Sequence, residues 1–127
     1  MKTAPALSLG VLLGTLTCAS AQTTDFASRT FYLPLCKTYL QSSDAPHGRG
    51  PADWTSTMCV EVVSTVMFLG SSLKEPYTLC IPRGANAEQG VRVVVTYLEA
   101  RPQRLRENFR ALVRSALASA WGCRRGA

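Results

Sequence analysis

Four cysteines, Cys36, Cys59, Cys80 and Cys123, constrain this chain more than any other feature. They fall in one stretch of under a hundred residues, and the fifth, Cys18, lies in an apolar leader ahead of them. Lys2 precedes a Leu-rich run from Ala4 to Leu16, and Thr17-Cys18-Ala19-Ser20-Ala21 closes it with the Ala-x-Ala pattern that a signal peptidase accepts. A retained membrane anchor needs about 20 apolar residues, more than this run supplies. A lipidation site at Cys18 fits poorly because Thr15 and Thr17 stand where aliphatic and small residues are wanted. Residues 1–21 are therefore expected to be a cleaved export signal, with residues 22–127 forming one domain in an oxidising compartment. There, four cysteines imply two disulfides. A zinc site competes weakly, since no Cys-x-x-Cys spacing occurs.

The pairing follows from the helices. From Ala87 to Ala100, Val91, Val94, Val95 and Leu98 recur at helical spacing behind Asn86, a fitting N-cap with Glu88 and Gln89 in the first turn. The Arg101-Pro102 step ends that helix, and Pro102 is placed to open another. Leu105, Phe109, Leu112, Val113, Ala116, Leu117, Ala120 and Trp121 form its apolar stripe, and Gly122 stops it. Helices of about 14 and 19 residues, about 21 and 28 Å long, would fold back on each other and bring their outer ends together. That geometry pairs Cys80 with Cys123. An earlier helix from Asp25 to about Gln41, with Pro34 inside, and a further one from Pro51 to Leu69 would place Cys36 opposite Cys59. In the latter, Trp54, Met58, Val62, Val63, Val66 and Met67 are expected to be largely buried. The fold class is thus all-α, a small disulfide-stapled bundle of about four helices.

Charge and residue chemistry narrow the function. Fourteen Lys and Arg against eight Asp and Glu give a net charge of +6, one unit less once Lys2 leaves. A nucleic-acid reader is disfavoured by export, by acids among the arginines and by the lack of an aromatic-interleaved basic motif. With a single histidine, His47, with cysteines paired and with no matched carboxylate pair, neither catalysis nor a metal or cofactor site is expected. Trp54 and Trp121 read as core anchors. Two loops, Ser42 to Gly50 and Gly70 to Tyr77, are rich in turn residues, and the first carries His47 and Arg49. Arg106, Arg110 and Arg114 repeat every four residues and suit an acidic protein surface. His47, Arg49, Arg106 and Arg110 are the candidate partner-binding residues. An apolar surplus at Tyr32, Met67 and Phe68 leaves room for a homodimer.

The run Cys80-Ile81-Pro82-Arg83-Gly84-Ala85-Asn86, then Gln89, Val91, Val93-Val94, Tyr97-Leu98, Pro102, Leu112-Val113, Ala116-Leu117 and Trp121-Gly122-Cys123, resembles the Tai-type immunity family of type VI secretion systems. The resemblance spans about residues 79–123. Gly122 stands where that family often has proline, and Val60-Glu61 follows Cys59 where Gly-Tyr is common. The resemblance implies an exported all-α inhibitor that binds a cell-wall-degrading effector, commonly a peptidoglycan amidase, in the periplasm, with no membrane attachment after cleavage. The rival reading is a periplasmic binding or envelope module that shares the fold without a toxin partner.

Overall fold

A computed structural model of the chain describes residues 25–45, 54–104 and 106–124. The export signal expected at residues 1–21, and the candidate residues His47 and Arg49, lie outside the described residues. Four helices follow in order: α1 (Arg29–Ser43), α2 (Trp54–Ser72), α3 (Ala87–Glu99) and α4 (Phe109–Trp121), with a 3-10 turn at Pro102–Arg104 between the last two. The described residues contain isolated bridges and no strand, so the architecture is the all-α bundle that the periodicity predicts.

α3 forms where its local signals place it. The Asn86 side chain accepts from the Gln89 backbone N–H at 2.9 Å, and the Gln89 side chain accepts from the Asn86 N–H at 3.0 Å. This reciprocal box satisfies two of the orphan donors at the helix start. Val91, Val94, Val95 and Leu98 are all buried, as one apolar stripe should be. Gly90 sits among them because α2 crosses there: a Cβ at this position would lie 2.9 Å from the Val63 side chain.

Two helix starts differ from the sequence reading for a shared reason. α1 begins at Arg29, not Asp25, and α4 begins at Phe109, not Pro102. Residues 25–28 run instead beside residues 107–109: the Phe109 N–H donates to the Ala27 carbonyl at 2.7 Å, and the Arg29 N–H donates to the Glu107 carbonyl at 3.2 Å. Local turn chemistry supports the diversion, since the Asp25 side chain accepts from the Ala27 N–H and Asn108 caps α4 through the Arg110 and Ala111 N–H groups. α3 and α4 are consequently equal in length, 13 residues each, which brings their outer ends level. Pro34 lies inside α1 without ending it, and the helix continues to Ser43.

The core is one cluster. Phe109, at the start of α4, is fully buried and its ring stacks on Tyr32 of α1 with centroids 4.3 Å apart. Trp54 is a correction: it is 73% exposed. Ser56, Cys59, Val63, Met67 and Gly70 form the buried stripe of α2. Trp54 shares the opposite, solvent-facing line with Glu61, Thr65 and Phe68. Trp121 is half-buried against the core. Of the residues read as an apolar surplus, Tyr32 and Met67 belong to the core, and only Phe68 is exposed.

Both disulfides join the cysteines that helix geometry pairs. Cys36 and Cys59 bridge α1 to α2 inside the core, with Cα atoms 5.2 Å apart. Cys80 and Cys123 close the open end of the α3–α4 hairpin, with Cα atoms 4.8 Å apart. Beside the second bridge the Cys80 N–H donates to the Trp121 carbonyl at 2.7 Å, and Leu79 pairs with Gly122. By loop-closure entropy the bridges contribute about 3.5 and about 4 kcal/mol respectively.

Candidate functional site

Of the two loops that the sequence singles out, residues 46–50 of the first lie outside the described residues, and the second leaves the C-terminal end of α2 at residues 73–78. At the C-terminal end a groove opens. Its floor is Val66, Gly70 and Leu79, and its walls are Leu69, Leu73 and Tyr77. The walls are half-exposed apolar side chains grouped in one place, the kind of contiguous patch that marks an interaction surface.

Glycine 70 makes the floor. The Leu79 N–H donates to the Gly70 carbonyl at 2.8 Å, and a Cβ at position 70 would lie 2.6 Å from the Leu79 Cγ, so only glycine lets the returning segment approach so closely. The loop above it is pinned by its own hydrogen bonds. Tyr77 N–H donates to the Lys74 carbonyl at 3.0 Å, the Thr78 hydroxyl to the Leu73 carbonyl at 2.7 Å, and Leu73 N–H to the Leu69 carbonyl at 2.9 Å. The walls are therefore set before any partner arrives.

α4 supplies the far side. Arg110 and Arg114, one turn apart on its solvent face, line the groove, and the Arg114 guanidinium lies 4.9 Å from the centre of the Tyr77 ring. Neither arginine forms an ion pair among the described residues. Other cations do: Lys37 with Glu99 at 2.9 Å, Arg92 with Glu88 at 2.9 Å and with Asp44, and Arg104 with Glu107 at 2.6 Å. The hydrogen bonds that Arg92 donates, to Asp44 first and then to Glu88, raise its pKa, and those that Arg104 donates to Glu107 raise that of Arg104. The Arg104 guanidinium in turn holds the Glu107 carboxyl below the usual glutamate range.

The structure thus brings Arg110 and Arg114 to the second loop, a juxtaposition that sequence spacing did not reveal. Arg106 is not part of it. The four-residue repeat presumed one helix through all three arginines, but Arg106 sits exposed in the turn ahead of α4. Leu73 and Tyr77 belong to the second turn-rich loop that the sequence singles out, whereas nothing in the sequence reading marks Leu69 as functional. Its signal is α2 itself, which is apolar around most of its circumference where an outer helix should show one stripe.

The groove encloses about 170 Å³, below the ~300–1,000 Å³ usual for small-molecule sites and suited to a single protruding side chain. Two wider concavities, about 350 and 440 Å³, lie side by side along α3 and share Arg92 and Val93. Arg92 is already committed to two carboxylates there. Among the described residues every cysteine is in a disulfide, and no cluster of three His, Cys, Asp or Glu side chains could hold a metal ion. No described helix is long and apolar enough to cross a membrane. What this surface offers chemically is recognition: aromatic and arginine contacts of the kind that dominate protein interfaces.

A family model of Rap1a immunity proteins matches residues 28–123, which takes in all four helices and both disulfides. No curated protein and no solved structure matches the chain.

Proposed function

The chain belongs to the Rap1a immunity protein family, and from that premise we propose that it is a periplasmic inhibitor of a type VI secretion effector, a peptidoglycan amidase, whose catalytic cleft it occludes. The family match carries this reading, because immunity implies binding a cognate effector protein. The amidase class rests on the Cys-Ile-Pro-Arg-Gly to Trp-Gly-Cys frame between Cys80 and Cys123.

The scaffold suits such a role. An inhibitor gains affinity when its contact surface is rigid before binding, since less conformational entropy is lost on association. Two disulfides tie α1 to α2 and the start of the α3–α4 hairpin to its end, so the loop between Ser72 and Cys80 hangs from fixed points. Disulfides persist in an oxidising compartment, which agrees with export by a leader at residues 1–21. The loop with His47 and Arg49, and the basic side with Arg106 and Arg110, are the surfaces proposed to face the effector.

The test is recovery and add-back. Residues 22–127, expressed in the periplasm of the native host with the secretion system active, should co-purify with one wall amidase in near-equal amounts. Adding the protein back should stop that enzyme's hydrolysis of purified peptidoglycan. Recovery of no effector, or hydrolysis that continues undiminished at excess inhibitor, overturns the proposal and favours a binding module without a toxin partner.

A further inference from the structure

We infer that the groove between the C-terminal end of α2 and α4 seats an apolar side chain from an acidic segment of the partner protein, with Arg110 and Arg114 pairing to carboxylates beside that anchor; the inference rests on the immunity reading and names the chemistry of the contact. Three observations converge on it. The groove has room for one large side chain and no more, with apolar floor and walls. Its lining includes two arginines and no acid, and neither arginine has an ion-pair partner among the described residues, whereas Arg92, Arg104 and Lys37 all do. Its walls are fixed by backbone and hydroxyl hydrogen bonds at Leu73, Tyr77, Thr78 and Leu79.

Complementarity decides among occupants. On a chain of net charge +6, a second copy would bring the same two arginines toward a surface that already repels them. A small molecule would find too little volume. An acidic segment with one Leu or Phe anchor satisfies both halves of the site. It removes Leu69, Leu73 and Tyr77 from water and supplies the carboxylates that Arg110 and Arg114 lack. Tyr77 and the two arginines are residue types that concentrate binding energy at the centre of interfaces. The Arg114–Tyr77 stack holds one guanidinium ready in place, which suits planar, two-point recognition of a carboxylate.

The experiment has two arms. In the first, isotope-labelled oxidised protein is titrated, with resonances followed residue by residue, with a six-residue peptide Asp-Glu-Leu-Phe-Asp-Glu and with its counterpart carrying Lys in place of each acid. The acidic peptide should move resonances of residues 66–79 and 110–114 and bind at least about tenfold more tightly than the lysine peptide. That preference should shrink as salt is raised, and it should vanish in R110E/R114E. Equal binding of the two peptides, shifts centred on Arg92 and Arg101 instead, or no shift at millimolar peptide would overturn the inference.

In the second arm the amidase recovered with the protein is inhibited by wild type, L73D, R110E/R114E and, as a control on a different surface, R83E. Leu73 is half-exposed, so L73D should keep the wild-type far-UV spectrum and melting temperature. L73D and R110E/R114E should each weaken inhibition about 100-fold, while R83E should change it less than threefold. Full inhibition by the groove variants would overturn the groove and leave the immunity reading standing. Failure of wild type to inhibit, with the peptide still held in the groove, would overturn the immunity reading and leave the groove's chemistry standing. Sedimentation that shows a dimer dissociated by L73D would assign the groove to a second copy and overturn the inference.

Discussion

Two regions of this molecule are made from the same residues to opposite ends. At the α3–α4 turn the Arg101 guanidinium lies 3.7 Å over the Tyr97 ring and donates to the Tyr97 carbonyl, while Arg104 donates to both Glu107 oxygens and to the Tyr97 hydroxyl. Arg29, only 3% exposed, adds a bond from its guanidinium to the Arg101 carbonyl at 2.6 Å. In the groove, Arg114 lies over Tyr77 in the same way, but no carboxylate or carbonyl answers it or Arg110 among the described residues. The turn consumes Arg101 and Arg104 in holding two helices together; the groove leaves its arginines for something outside. A basic side chain is thus informative about function where the fold gives it nothing to do.

That contrast can be broken most sharply by charge reversal. R110E/R114E should lower affinity for the effector about 100-fold, about 2.7 kcal/mol, with unfolding in urea unchanged, whereas R104E should leave affinity within about threefold and lower stability instead. If R104E weakened binding as much, the distinction between the two regions would fail. Next in size, Arg29→Ala should cost about 1–3 kcal/mol in urea unfolding, since it empties a buried site and leaves the Arg101 carbonyl with only the Arg104 N–H as donor, while Arg114→Ala should stay within about 0.5 kcal/mol. Tyr97→Phe should then cost about 0.5–1 kcal/mol by removing the hydroxyl that accepts from Arg104, and Tyr77→Phe should be silent in stability. The smallest effect is in pH. Glu107 has its pKa lowered by Arg104, so the pair's contribution is present above the ordinary glutamate range and lost as the pH falls through the depressed value. The stability difference between wild type and Glu107→Gln should shrink between about pH 6 and about pH 3. The same titration of Arg114→Gln should show no such loss.

Much of the scaffold was legible because its signals are local. The Asn86 capping box, the valine stripe of α3 and the paired ends of the α3–α4 hairpin each depend on neighbours in sequence, and from them the Cys80–Cys123 pairing followed. The starts of α1 and α4 were not legible. They are set by the Ser28–Asn108 bridge between segments about eighty residues apart, which no periodicity records. Trp54 was misassigned because an apolar helix offers no phase from which to choose its inner face. Arg110 could be picked out as one of a basic repeat, and Leu73 and Tyr77 as members of a turn-rich loop, but not their meeting in one groove. The groove exists only because Gly70 admits Leu79 and returns the chain alongside α4.

Amide hydrogen exchange of the oxidised protein, free and bound to the co-purified amidase, separates the two regions. New protection should appear at residues 69–79 and in the first turns of α4, with Tyr97 to Arg104 unchanged. Protection that falls on Tyr97 to Arg104 and spares the groove would contradict the assignment of the groove.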